Sequence, residues 1–141
     1  MHLEACITVS APREKVYAAY TDFESMPKWA TETTAMRVTR REGDMVYLES
    51  EGALGARRRA VRRLRLSQPS LVECESETRF TRTKRTVAFE EVPEGTKVTA
   101  TLDVRVKRPW GGILATREAD EFEPSVQEEL TSFGRYVEGL P

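Results

Sequence analysis

The first signal along the chain is alternation. In residues 3–10, LEACITVS, apolar Leu3, Ala5, Ile7 and Val9 alternate with Glu4, Cys6 and Thr8, which predicts a half-buried strand. The period then lengthens. Pro12 suits a first helical turn and Glu14 suits the positive end of its dipole. Val16, Tyr17, Tyr20 and Phe23 follow as one apolar stripe at helical spacing. The segment ESMPKWATE reads as a break and a second short helix carrying Met26 and Trp29.

From residue 33 to 108 the pattern is that of strands, with candidates at 34–41, 45–52, 56–67, 70–79, 83–92 and 97–107. Turn residues punctuate them at Glu42-Gly43-Asp44, Ser67-Gln68-Pro69-Ser70 and Pro93-Glu94-Gly95. In KVTATLDVRVK the residues Val98, Ala100, Leu102, Val104 and Val106 share one face. Six consecutive strands on short turns predict an antiparallel meander. The tail returns to helical spacing: Phe122, Val126, Leu130, Phe133 and Val137 step by four, four, three and four, with acidic residues behind them. Pro124 either starts this helix or kinks one that begins near Gly112, and Gly139 ends it. PWGG at 109–112 turns the chain from the last strand into the helix and is not a phosphate loop, because no Lys-Ser/Thr follows.

The predicted fold is therefore α+β, in the order β-α-α-β6-α, as one domain over residues 1–141. A seven-stranded curved antiparallel sheet carries two short helices and a long C-terminal helix across its concave face. Such a sheet rarely closes completely on one helix. A cavity between them is expected, and cavities of this kind favour apolar ligands.

Composition narrows the chemistry. The chain is 39% hydrophobic and 32% charged, which suits a globular protein, and no apolar run approaches the ~20 residues of a membrane span. The opening residues lack the basic start of a signal peptide, so a cytoplasmic location is expected. Cys6 and Cys74 belong to no CxxC pair and are expected to be free, buried thiols. His2 is the single histidine and stands at a terminus, which removes Ser-His-Asp and Cys-His dyads and the usual histidine-rich metal sites. No metal and no cofactor are expected. Nothing in the pattern sets an oligomeric state.

Net charge is −1, but it is unevenly spread. In GARRRAVRRLRL, residues 55–66, six arginines fall within nine positions. Strand alternation divides them. Arg57, Arg59, Arg63 and Arg65 share one face with Val61, and Arg58 and Arg62 share the other with Ala60, Leu64 and Leu66. The next strand splits into Leu71, Glu73, Glu75 and Glu77 against Val72, Cys74, Ser76 and Thr78. Joining like with like brings Arg63 and Arg65 beside Glu75 and Glu73 on an outer, ion-paired face. Those glutamates argue against a nucleic-acid site, which keeps its positive charge uncompensated. Arg58 and Arg62 then stand on the inner face. A guanidinium there needs a partner. The partner is either the acidic run Glu118, Asp120, Glu121 and Glu123 of the closing helix or the carboxylate or phenolate of a ligand; a one-residue bulge would instead expose both arginines. Arg85, which shares its face with Val87 and Phe89, is a third candidate.

The stretch ITVSAPREKVYAAYTDFESMPKWAT resembles the opening of the START-like (SRPBCC, helix-grip) superfamily, in its polyketide cyclase/dehydrase-like branch. A strand ends in a small-residue–Ala-Pro turn, and a helix follows with an aromatic at Tyr17, then Asp22-Phe23, Pro27 and Trp29. The resemblance continues through VAFEEVPEGTKVTATLDV and the closing helix, and so covers essentially the whole chain. It implies a cavity under the last helix that holds a hydrophobic or amphipathic small molecule. Members include aromatase/cyclases of polyketide synthesis, lipid and quinone carriers, and plant hormone receptors. The apolar candidates for the cavity wall are Trp29, Met36, Met45, Val87, Phe89, Trp110, Phe122, Val126 and Phe133. Arg58, Arg62, Arg85, Tyr17, Tyr20 and Tyr47 are candidate polar groups, and Ser76 lies on the same inner face as Cys74. If the protein is an enzyme, these groups suit a metal-free cyclase or dehydrase, a lyase or isomerase that folds a poly-ketone chain and moves protons. Binding, with carriage or sequestration of the ligand, remains the other reading.

Overall fold

The computed structural model describes residues 2–30, 33–52, 60–77, 81–106 and 126–141. Strand β1 (His2–Val9) leads into helix α1 (Arg13–Thr21) and a 3-10 turn (Phe23–Lys28). Six strands follow: β2 (Thr33–Glu42), β3 (Met45–Gly52), β4 (Ala60–Ser67), β5 (Leu71–Glu77), β6 (Thr81–Val92) and β7 (Gly95–Val106). Helix α2 covers residues 126–138 and stops before Gly139. The predicted strand over 56–67 is described from Ala60 onward. The choice between Pro124 as a start or a kink falls outside the described residues.

The strands form one curved antiparallel sheet in the order β1-β7-β6-β5-β4-β3-β2. β2 to β7 is the expected meander, and β1 returns to pair with β7. Alternation decides what each strand buries. Val98, Ala100, Leu102 and Val104 on β7 are all buried, as are Val46 and Leu48 on β3, Leu64 on β4, Val72 on β5 and Phe89 on β6. This inner face takes α1, the 3-10 turn and α2. The stripe of α2 behaves as its spacing predicts over the described residues: Leu130, Phe133 and Val137 are buried, and Val126 packs half-buried against Leu102 and Val104. Each large side chain so buried contributes about 1.5–3 kcal/mol.

Two close approaches fix the helices on the sheet. At Gly95, φ is 141°, and a Cβ would lie 2.2 Å from the Val9 carbonyl oxygen. The β6–β7 turn therefore presses directly on the β1–α1 turn, where the buried Thr96 hydroxyl donates to the Ala11 carbonyl at 2.8 Å. At Gly134 the missing side chain lets α2 approach β1, since a Cβ would meet Ile7 Cδ1 at 3.1 Å. Gln127 Nε2 donates to the Cys6 carbonyl of the edge strand β1 at 3.1 Å. Lys15 of α1 donates to the Leu140 carbonyl just beyond α2 at 3.1 Å.

The thiol expectation needs one correction. Cys74 is half-buried, but Cys6 is exposed. Cys6 is out of phase with the buried Ala5 and Val9, so alternation turns it outward.

Candidate functional site

The site emerges from the rungs of the sheet. One rung runs across the inner face as Val46, Leu64, Cys74, Arg85, Leu102 and Leu3, from β3 to β1. Val46, Leu64 and Leu102 are buried, and Cys74 and Leu3 are half-buried. Arg85, in the middle, is exposed. A charged residue thus stands on the covered face, between Cys74 and a Leu102 that is 0% exposed, and still reaches solvent. Among the described residues the Arg85 guanidinium has no ion-pair or hydrogen-bond partner.

The neighbouring rungs define what surrounds it. On one side Leu66, Val72, Val87, Ala100 and Ala5 pair in sequence and are apolar throughout. On the other side Arg62 pairs with Leu48, and Ser76 pairs with Thr83, which pairs with Val104. Arg62 and Ser76 stand one step beyond the last β4–β5 pair, Arg63 with Glu75. The register sets Cys74, Thr83 and Arg85 side by side on this face, with Arg62 and Ser76 at the adjoining register positions. Paired residues on neighbouring strands have Cβ atoms about 4.5–5.5 Å apart, so these positions are contiguous.

Four residues along β6 from Arg85, a cluster of rings closes the inner face. Tyr20 stands at its centre, edge-on to Phe89 (5.6 Å between centroids) and to Phe133 (5.5 Å). Trp29 packs on Phe133 at 4.8 Å and on Tyr20 at 5.8 Å. Tyr17 meets Phe89 edge-on at 5.2 Å and donates a long 3.4 Å bond to the Leu71 carbonyl. Burial raises the Tyr17 phenol above its ordinary pKa, so it stays protonated. The Trp29 indole N–H is buried without a hydrogen-bond partner.

A cavity of about 550 Å³ opens at the end of β5, β6 and β7, where Thr83 and Val104 are joined by Glu75, Arg82, Lys84, Asp103 and Arg105. Only Thr83 and Val104 belong to the buried face. The charged residues lie on the outer face in cross-strand rows, Glu75 with Lys84 and Lys84 with Asp103. This cavity is a charged opening beside the Arg85 patch, not its apolar floor. Among the described residues no group of three His, Cys, Asp or Glu side chains could hold a metal ion, and no helix is long and apolar enough to cross a membrane.

Residues 1–138 match the model of a family described as polyketide cyclase/dehydrase and lipid transport proteins. The chain belongs to that family. Its fold is the START-like helix grip, a ligand-binding architecture. Among solved structures, the chain is similar to TTHA0849 from Thermus thermophilus, with 25% identity, a TM-score of 0.79 and 97% of each chain covered. It is also similar to the Zhui aromatase/cyclase of a Streptomyces species (14% identity, TM-score 0.81, 98% of this chain and 93% of that one). A START superfamily protein from Mycobacterium smegmatis aligns over 99% of both chains at 19% identity and a TM-score of 0.71. The last two likenesses bear on fold alone. No curated protein is significantly similar to the chain.

Within this polyketide cyclase and lipid transport fold, the candidate residues separate. Arg85, Trp29, Phe89 and Phe133 stand on or against the inner face. Arg62 and Ser76 occupy inner-face register positions, while Arg58, Trp110, Phe122 and the acidic run Glu118, Asp120, Glu121 and Glu123 lie outside the described residues. Tyr47 is a correction. Its neighbours Val46 and Leu48 are buried, so Tyr47 points to the outer face, where its ring lies 5.4 Å from the Arg40 guanidinium. Met45 shares that phase and leaves the cavity wall with it. Thr83 is the residue that sequence reasoning missed. It is buried, sits two positions from Arg85, and could have been found by carrying the inner phase of Val87 and Phe89 back along β6.

The arginine-rich strand pairs as expected, Arg63 with Glu75 and Arg65 with Glu73. The charges then settle on nearer partners: Lys84 Nζ is 3.4 Å from Glu73, and Arg65 Nε is 3.9 Å from Asp44. Cross-strand charges of this kind contribute up to about 1 kcal/mol each.

Proposed function

We propose that the protein binds an amphipathic small molecule, for carriage or sequestration, with an acidic group on Arg85 and an apolar body over Val87, Leu66 and the aromatic cluster. The observation that carries this reading is the exposed Arg85, without an ion-pair or hydrogen-bond partner among the described residues, beside a rung that is apolar from Leu66 to Ala5. A guanidinium matches a carboxylate or phenolate bidentately, and a charge-assisted bond of this sort contributes about 1.5–3 kcal/mol.

Acid–base catalysis has less support. Among the described residues the only inner-phase carboxylate of β6 and β7 is Glu91, at the far end of β6 and 3.8 Å from the Arg13 guanidinium, and Tyr17 is held in its protonated form. A cyclase would therefore have to draw its base from water or from the rest of the chain.

The test is a thermal-shift and native mass spectrometry screen with fatty acids, aromatic acids and their methyl esters. Acids should raise Tm and remain bound, and Arg85→Met should weaken the acids by about tenfold or more while leaving the esters unchanged. The outer-face variant Arg65→Met should bind like the wild type. Absence of binding by any apolar acid, or equal affinity of wild type and Arg85→Met, refutes the proposal.

A further inference from the structure

The cavity at the end of β5, β6 and β7 holds a second arrangement of cations, separate from Arg85. Arg82 of β6 and Arg105 of β7 are direct cross-strand partners, and both stand exposed in the wall of this cavity of about 550 Å³. Partners in such a ladder have Cβ atoms about 4.5–5.5 Å apart, and like charges placed so weaken the sheet. Nearby acids compensate only part of this. Glu77 of β5 stands opposite Arg82 on its other side. β1 is paired from His2 onward, opposite Asp103, so among the described residues Arg105 has Arg82 as its one cross-strand partner. Arg105 makes no ion pair or hydrogen bond among these residues. Of the two acids in the cavity wall, Asp103 lies 2.7 Å from His2 Nδ1, and Glu75 stands opposite Lys84 rather than opposite either arginine. The row Glu77, Arg82, Arg105 thus keeps a net positive charge at the mouth of a cavity.

We propose that this cavity is a second ligand site, which takes a phosphate group between Arg82 and Arg105. Two guanidinium forks side by side present more donors than the two oxygens of a planar carboxylate can accept. A phosphate monoester carries about two negative charges and three acceptor oxygens, so it engages both forks and turns their repulsion into attraction. Thr83 and Val104 complete the wall, and the volume suits a small phosphorylated molecule. The proposal does not depend on Arg85, because Arg82 and Arg85 differ by an odd number of strand positions and point to opposite faces of β6.

The experiment is calorimetry with inorganic phosphate and phenyl phosphate at about pH 8, where both are dianions, and at constant ionic strength. Concentrations stay below about 10 mM, because phosphate at high levels stabilises folded proteins by exclusion from their surface. Both phosphates should bind, benzoate should not displace them, and Arg105→Gln should weaken them about tenfold or more while Arg85→Met leaves them unchanged. Tighter binding of phenyl phosphate than of inorganic phosphate identifies an ester ligand whose body lies on Val104, and equal binding identifies free phosphate. A second readout has the opposite sign. In phosphate-free buffer Arg105→Gln should raise Tm by about 1–4 °C, because it removes the like-charge pair. Absence of phosphate binding, equal binding by wild type and Arg105→Gln, or a lower Tm of Arg105→Gln in phosphate-free buffer overturns the proposal, and each leaves the Arg85 reading standing.

Discussion

Replacing Gly95 with alanine tests how the β6–β7 turn locks onto the β1–α1 turn. The residue adopts φ of 141°, in a region reserved for glycine, and a side chain there costs about 1–3 kcal/mol. The new Cβ would also stand 2.2 Å from the Val9 carbonyl oxygen, 3.0 Å from the Ala11 nitrogen and 3.1 Å from Ser10 Cα. All three are backbone atoms, so no rotamer relieves the clash and the β1–α1 turn must move. That movement strains the buried bond from the Thr96 hydroxyl to the Ala11 carbonyl, and a buried hydroxyl left unpaired costs about 1–3 kcal/mol more. The expected loss is about 3–5 kcal/mol, a large part of the roughly 5–15 kcal/mol that holds a domain together. Urea denaturation followed by circular dichroism measures it. Gly43→Ala is the control. Gly43 also has a positive φ, 56°, but nothing lies within 4 Å of its would-be Cβ, so it should lose only about 1–2 kcal/mol. The reasoning is refuted if Gly95→Ala loses less than about 1 kcal/mol, or no more than Gly43→Ala.

Phe133→Ala should cost about 3–5 kcal/mol in the same assay and shift tryptophan emission to the red, because Phe133 is fully buried and packs 4.8 Å from Trp29; a loss below about 2 kcal/mol would show that α2 collapses onto the gap. Tyr17 predicts a pH dependence. Its folded pKa is raised above 10.0, so above that pH the unfolded chain releases the proton first, and stability falls as pH rises from the unfolded value through the folded one. Between about pH 9 and about pH 11 the wild type should therefore lose more stability than Tyr17→Phe, and parallel urea midpoints for the two proteins would contradict this.

How far the sequence went depends on how local each question is. Alternation in RRLRL and LVECESE was enough to pair Arg63 with Glu75, Arg65 with Glu73 and Leu64 with Cys74, because each strand has one apolar and one charged face and only one register matches them. Strand β3 offered no such contrast. Met45 and Tyr47 are as apolar as Val46 and Leu48, so either phase could have faced inward. β2 adds a second difficulty: a register shift between Val38 and Arg40 puts Val38 against the core and Arg40 on the outer Tyr47 ring, although they are two residues apart.

The sequence by itself determined the element order, the meander and, on strands with one apolar and one charged face, the membership of each face, since these rest on periods of two and near four that repeat within a few residues. Tertiary structure decided what those faces meet. Arg85 carries the same inward phase as Phe89, yet Phe89 is buried under Tyr17 and Tyr20 while Arg85 stays open to solvent. Trp29 and Phe133, which no local pattern connects, pack ring on ring because Gly134 lets α2 settle close to β1. Where a helix covers a sheet and where it stands clear is set by the docking of distant segments. That is why the solvent-open position of Arg85 became visible only in the folded chain.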